Sequence, residues 1–222
     1  MDVKRIPARK RLLEVASLVQ GEDFPDDSLL VATSGRYEFR NKGIDLFLDA
    51  LGDLNRKREI KRPVIAFVIV PANHFGPRKD LMEALNDSSR KPNGNKYLTH
   101  YLHYAEHDQI LQRLAGNDLK NGPDDMVRVI FVPSYLKGND GIFNLSYYEL
   151  LAGFDLTLFP SYYEPWGYAA MESLAFSVPT VTTSLTGFGR WVSQLKNDGN
   201  GIRIINREDS NDQAVINAIS SV

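Results

Sequence analysis

The chain of 222 residues has no cysteine, so disulfides and thiolate metal sites are excluded, and a reducing compartment fits. It has no surplus of either charge: the formal net charge of -2 gives no global electrostatic case for nucleic acid or an anionic membrane. It also lacks a long hydrophobic run. The longest, such as Val64 to Val70, is far too short to span a bilayer. The opening MDVKRIPARKR has no apolar h-region and does not read as a secretory signal. What remains is ordinary globular composition, 43% hydrophobic and 24% charged.

Short apolar runs alternate with amphipathic stretches. The pattern predicts strands over 29–34, 64–70, 127–132, 155–159, 179–183 and 201–205. These runs are mostly continuous rather than alternating, as expected of parallel strands buried on both faces. Helices are predicted over 8–20, 43–58, 78–87, 106–116, 146–153, 168–177, 187–196 and 211–220. Such alternation implies βαβ units and an α/β, Rossmann-like doubly wound parallel sheet. No boundary divides residues 1–222 into two domains. The polar stretches 86–97 and 117–125 read as surface loops. Helix 211–220 meets the end of the chain without a stop signal, so the sequence reads as one domain of a longer protein.

Two segments carry chemistry. Strand 29–34 runs into GRYEFRNKG and a helix, with Arg36 and Lys42 placed to reach an anion on that helix N-terminus. Solvated loop cations are the alternative for this pair. Residues 161–191 hold Glu164 in a Pro/Gly/Trp turn after an apolar strand, and Glu172 in the helix that the turn starts. A carboxylate at the carboxyl end of a buried strand lies where open α/β sheets bind ligands. The N-terminus of helix 168–177 beside it offers free backbone N–H groups to an anion, and a carboxylate beside that anion site suits a sugar joined to a diphosphate.

GRYEFRNKG, FPSYYEPWGY, the Glu-x7-Glu spacing of Glu164 and Glu172, and PTVTTSLTGFG closely resemble the eukaryotic-type glycogen synthases. The likeness runs from about Leu29 onward and weakens in 71–125, where the chain looks shorter than the family. It implies a retaining glycosyltransferase of the GT-B arrangement, two Rossmann-like domains facing across a cleft. Residues 1–222 would be the C-terminal, nucleotide-sugar-binding domain, with the N-terminal acceptor domain and final C-terminal helices lying outside them. The full enzyme would transfer glucose from UDP-glucose to the 4-hydroxyl of an α-1,4-glucan with retention, in the cytoplasm. No metal or other cofactor is implied, nor a nucleic-acid or membrane partner; the glucan acceptor would be met through the other domain, and homo-oligomerisation of the full-length protein stays open.

By the same resemblance Arg36 and Lys42 hold the donor diphosphate, with Gly167 and Tyr168 of the turn. Glu164 is the catalytic carboxylate facing the transferred glucose, with Trp166 and Gly167 beside the sugar. Glu172 supports the nucleotide through ribose hydroxyls. Tyr147 stacks on the base, and Tyr135 stands where the family has a Phe lining that pocket. The family usually has Thr-Pro-Ala after the Gly-Tyr. Here Ala169-Ala170-Met171 follows, so a hydroxyl contact to phosphate is lost while backbone amides remain. Val132 likewise replaces a common histidine. The alternatives are a related GT-B enzyme using ADP-glucose or another nucleotide sugar, and a binding module without turnover.

The remaining candidates are blander. His100, His103 and His107 have helix-face spacing for a metal, but neutral surface or capping histidines are the plainer reading. Lys4, Arg5, Arg9, Lys10 and Arg11 read as a solvated helix face rather than a glucan or nucleic-acid contact. Tyr162 and Tyr163 suit glucan contact or packing equally. Phe188 and Trp191 read as packing for the helix from Gly187.

Overall fold

In the computed structural model, which describes residues 2–195, 201–208 and 211–221, six parallel strands form the central sheet. In chain order they are β1 (Leu29–Ser34), β2 (Val64–Ile69), β5 (Val127–Val132), β6 (Leu156–Phe159), β7 (Thr180–Thr183) and β8 (Ile202–Ile205). Their spatial order is β5-β2-β1-β6-β7-β8. The first three strands run outward one way from β1 and the last three the other way, which is the doubly wound arrangement. All six predicted strands are present.

The continuous apolar runs are explained by burial on both faces. In β2, Val64, Ala66 and Val68 enter the core beneath α2 (Ile44–Lys57), α4 (Gln109–Gly116) and α8 (Asp212–Ser220). The alternate residues Ile65, Phe67 and Ile69 enter the opposite core, beneath α1 (Asp2–Gln20), α3 (Lys79–Asn86) and α5 (Tyr147–Leu151). Period-two side-chain alternation thus fills two cores from one strand. Phe67 is fully buried with its ring edge against Phe154, centroids 5.5 Å apart, so truncation to Ala would cost about 3–5 kcal/mol. A third, smaller cluster joins Phe159, Ala170 and Phe188 under α6 (Tyr168–Ala175) and α7 (Gly187–Gln194).

Several expectations change. Helix α1 begins at Asp2, not residue 8, and carries Pro7 in its second turn, where the ring removes one backbone hydrogen bond without ending the helix. The predicted helix 106–116 is broken in two. Asp108 caps α4, its carboxylate accepting from the N–H groups of Ile110 and Leu111, which leaves Ala105–His107 as a separate 3-10 turn. A small two-stranded antiparallel sheet was not foreseen: β3 (His74–Pro77) against β4 (His100–Leu102), too short and polar to show a period. Segment 117–125 is not wholly surface, since Leu119 and Asn121 are buried and the Asn121 amide bonds both the N–H and the carbonyl of Val129. The last residue of predicted helix 187–196 lies outside the described residues; the observed helix ends at Gln194.

Candidate active site at the sheet's switch point

β1 and β6 are neighbours, yet the connection from β1 leads away to β2. The loops that leave their carboxyl ends therefore part, and a crevice opens between them. The first loop carries Gly35, Arg36 and Lys42; the second carries Glu164 and Gly167. Glycine is required twice. Gly43 has φ 69°, and a Cβ there would overlap the Pro160 carbonyl oxygen, so only glycine lets the two loops meet. Gly167 has φ 102° and turns the chain into α6.

The crevice holds two cavities that share Ser34, Gly35, Arg36 and Ala169. One, of about 190 Å³, is lined by Lys42, Ser161, Glu164, Gly167 and Thr186. The other, of about 310 Å³, is lined by Tyr135, Lys137, Tyr147 and Glu172. A larger void of about 680 Å³ lies between α2 and α8 at the opposite, amino-terminal edge, with a mainly apolar lining. It lacks the convergent polar groups of a ligand site.

In the smaller cavity the Lys42 ammonium pairs with the Glu164 carboxylate, both side chains mostly shielded. The N–H groups of Tyr168, Ala169 and Ala170, in the first turn of α6, meet no acceptor among the described residues. They face outward with the positive end of the helix dipole. The other helix start behaves differently from expectation. The N–H groups of Ile44 and Asp45 both bond the Phe39 carbonyl, and that of Leu46 bonds the Asp45 carboxylate, so α2 has its first donors occupied. The helix start with open N–H groups is that of α6, not α2. Arg36 is three-quarters exposed, its Nε 3.0 Å from the Glu38 carboxylate.

In the larger cavity the Tyr147 hydroxyl lies 2.8 Å from Ser34 Oγ. Burial pushes its pKa up to about 12, so it is a neutral hydrogen-bonding group. Tyr135 is 67% exposed, with the Lys137 ammonium 5.6 Å from its ring centroid. Glu172 accepts a 2.9 Å hydrogen bond from the hydroxyl of Tyr148, whose ring stacks on Phe176. The Trp166 indole does not line either cavity. It packs against Phe188 and Trp191, and its Nε1 points at Met171 Sδ, so Trp166 can offer the site only backbone.

Sequence reasoning missed Tyr148 and Arg207. Arg207 is fully buried, donates to the Pro160 carbonyl and stacks on Tyr162, bracing the loop that carries Glu164. Charged residues beyond the last strand give no local signal of this. Conversely, the three histidines share no helix. His100 is buried in β4 with Nδ1 2.9 Å from Thr99 Oγ1 and Nε2 3.1 Å from the Asp140 carbonyl. No His/Asp/Glu group suited to a metal occurs among the described residues. In the basic cluster of α1, Lys4 and Lys10 are exposed as expected, but the arginines are not solvated. Arg5 and Arg9 pair with Asp155, and Arg11 donates to the carbonyls of Ile142 and Phe143.

Residues 19–85 and 84–222 match the sequence profile of the family described as Glycogen synthase. The chain belongs to the glycogen synthase family. It is 31% identical over 231 residues to glycogen (starch) synthase isoform 2 of Saccharomyces cerevisiae, covering 77% of this chain and 33% of that protein. It is 28% identical over 253 residues to glycogen (starch) synthase of Neurospora crassa, covering 88% and 36%. The chain thus spans about a third of the length of these glycogen synthases. Its fold is also similar to the N-terminal domain of Candida albicans trehalose-6-phosphate phosphatase, with a TM-score of 0.56 at 11% identity, covering 96% of this chain and 36% of that one. Among the described residues no helix is long and apolar enough to cross a membrane.

Proposed function

We propose that this chain is the donor-binding side of a retaining glucosyltransferase. The full protein transfers glucose from UDP-glucose to the 4-hydroxyl of an α-1,4-glucan, in the cytoplasm, without a metal. The carrying observation is the pair of contiguous cavities at the β1/β6 switch point, one bearing Lys42 and Glu164, the other Tyr135, Tyr147 and Glu172.

The larger cavity takes the nucleoside. Tyr135 and Tyr147 offer ring faces to the base, where stacking contributes on the order of 1–3 kcal/mol. Glu172, steadied by Tyr148, accepts from the ribose hydroxyls. The diphosphate lies across the shared wall, between Arg36, Lys42 and the first turn of α6. These groups offset the charge that grows on the leaving diphosphate, which is where preorganised donors act most strongly. Without donor, Glu164 occupies Lys42; with donor, the ammonium is shared with phosphate oxygen. Glu164 then faces the glucosyl carbon, and its negative charge stabilises the oxocarbenium character of the transition state.

Every site residue belongs to one wall of a cleft. Glycosyl transfer needs acceptor and donor in near-attack geometry, so the chain by itself is expected to bind donor without elongating glucan. Calorimetry against UDP, ADP and uridine tests the reading. UDP should bind best, and Lys42→Ala should weaken UDP more than uridine. Equal affinity for UDP and uridine, unmoved by Lys42→Ala, overturns it; robust glucan synthesis by the purified chain overturns the half-site assignment.

A further inference from the structure

The loop that bears Lys42 and the loop that bears Glu164 meet at two points, one on each side of Lys42. Gly43 lies so close to the Pro160 carbonyl oxygen that a Cβ there would overlap it. The Asn41 carbonyl accepts from the Tyr162 N–H at 2.8 Å. Segment 160–162 is thus the platform on which Lys42 rests as it reaches Glu164. Thr183 fastens this platform to β7, its hydroxyl donating to the Ser161 carbonyl at 2.8 Å. A second fastening comes from Arg207.

Arg207 stands two residues beyond β8, and its backbone N–H bonds the Ser184 hydroxyl at 3.0 Å, which fixes where the side chain starts. The guanidinium is fully buried. It donates to the Pro160 carbonyl and lies 4.7 Å over the Tyr162 ring, so one planar cation grips both contact residues of the platform. Its Nη2 is 3.4 Å from Asp212 Oδ1; Asp212 also pairs with Arg40, which pairs with Asp45. The starts of α2 and α8 therefore seat the cation.

Stability alone is a weak reason for an arginine here. Its Nε is buried without a hydrogen-bond partner among the described residues, and Asp212 is its only ion-pair partner among them. Taking a cation out of water is costly, and pairing this thin returns little of that cost; apolar residues of similar volume often serve such places as well or better. A buried polar atom left unsatisfied calls for a reason beyond packing. The geometry supplies one. A flat cation bonds a carbonyl at its edge while its face stacks on a ring, which an ammonium or an apolar side chain cannot do.

We propose that Arg207 is a positioning residue that sets the place of Lys42 against Glu164, and through Lys42 the grip on the donor diphosphate. Arg207 does not line either cavity of the crevice; it acts through Pro160 and Tyr162. The positioning rests on these contacts, and its consequence for a diphosphate rests on the donor reading above.

The test compares wild type, Arg207→Met and Arg207→Lys with Asp155→Asn, which breaks an ion-paired cluster at the far edge of the sheet. Urea unfolding checks that each folds; should Arg207→Met not fold, Arg207→Lys carries both measurements in its place. The first measurement is acetylation of Lys42 relative to Lys57, read by mass spectrometry. Lys42 is the more shielded, with 15% of its side chain exposed against 44%. Arg207→Met should speed Lys42 labelling several-fold, Arg207→Lys less, and Asp155→Asn not at all. The second is calorimetry. Arg207→Met should weaken UDP about tenfold, the scale of one charge-assisted contact, with uridine unchanged. In the double variant with Lys42→Ala, UDP should bind no worse than with Lys42→Ala alone. Lys42 labelling that neither Arg207 variant moves overturns the proposal, whether or not UDP binds. Equal losses for UDP and uridine, or a double variant whose loss is the product of the two single losses, also overturn it. If Lys42 labelling responds while the wild-type chain binds no UDP, the positioning role stands and the donor reading falls.

Discussion

Strand β6 has a carboxylate at each end, and the two are treated in opposite ways. Asp155, just before the strand, accepts from the Leu30 N–H and pairs with both Arg5 and Arg9. Burial pushes its carboxyl up, but the Leu30 N–H and the Arg9 and Arg5 guanidiniums outweigh that and hold it below the ordinary aspartate value. Glu164, beyond the other end, has one ionic partner among the described residues, Lys42, and fronts a cavity. A carboxylate saturated by several fixed donors is a structural clamp. One held by a single flexible ammonium beside open space is poised to exchange that partner for a ligand. The same functional group thus serves stability at the amino edge and, in the proposed reading, chemistry at the carboxyl edge.

Breaking the clamp should give the largest effect. Asp155→Asn leaves the shielded Arg9 and the partly exposed Arg5 without their carboxylate, and a loss of about 3 kcal/mol, the lower end for a broken buried pair, is expected in urea unfolding. Glu164→Gln should cost about 1 kcal/mol or less in the same measurement, while in a full-length enzyme it lowers turnover far more than donor affinity. If Glu164→Gln unfolds the chain as readily as Asp155→Asn, the contrast between the two ends fails.

Acid should also distinguish clamp from site. Burial depresses the His100 pKa from 6.5 to about 4, so below 6.5 the unfolded chain binds the proton more readily than the folded one. The stability from neutral His100 is complete above about pH 6.5 and is lost as pH falls toward 4, on the order of 3 kcal/mol. His100→Gln should flatten that interval of the stability–pH curve. A slope unchanged by the substitution would assign it to carboxylates.

On the site side, Lys42→Ala should weaken UDP by about 1.5–3 kcal/mol, the worth of a charge-assisted contact, and uridine hardly at all. The smallest effect is expected from Tyr148→Phe. It removes the hydroxyl that steadies Glu172 but leaves the ring on Phe176, so uridine affinity should fall by about 0.5–1 kcal/mol with stability unchanged. A larger loss for UDP than for uridine would move Glu172 from the ribose to the phosphates.

Much of this was legible in the chain itself. The six sheet strands stand out because residues buried on both faces leave an unbroken apolar run, as VIAFVI does in β2. Helix α5 is announced by its Ser146/Glu149 capping box. The two-stranded sheet β3/β4 left no such trace, its strands being four and three residues long with mixed exposure. The arginines of α1 looked solvated because their partners Asp155, Ile142 and Phe143 lie more than a hundred residues away, and no local pattern encodes a contact at that separation.

The sequence by itself determined the strand–helix alternation, the two loops that bear Arg36, Lys42 and Glu164, the helix that bears Glu172, and the family, because these are local patterns of polarity and motif. Only the tertiary structure decided what each charge does. It sent Arg5 and Arg9 to a clamp and Lys42 to a carboxylate beside a cavity, and it left α6 rather than α2 with open N–H groups. It also packed the Trp166 indole against Phe188 and Trp191. The physical reason is that charge, burial and hydrogen-bond satisfaction are properties of neighbours in space. In a doubly wound sheet those neighbours are chosen by strand order, and strand order is fixed only when the two cores close.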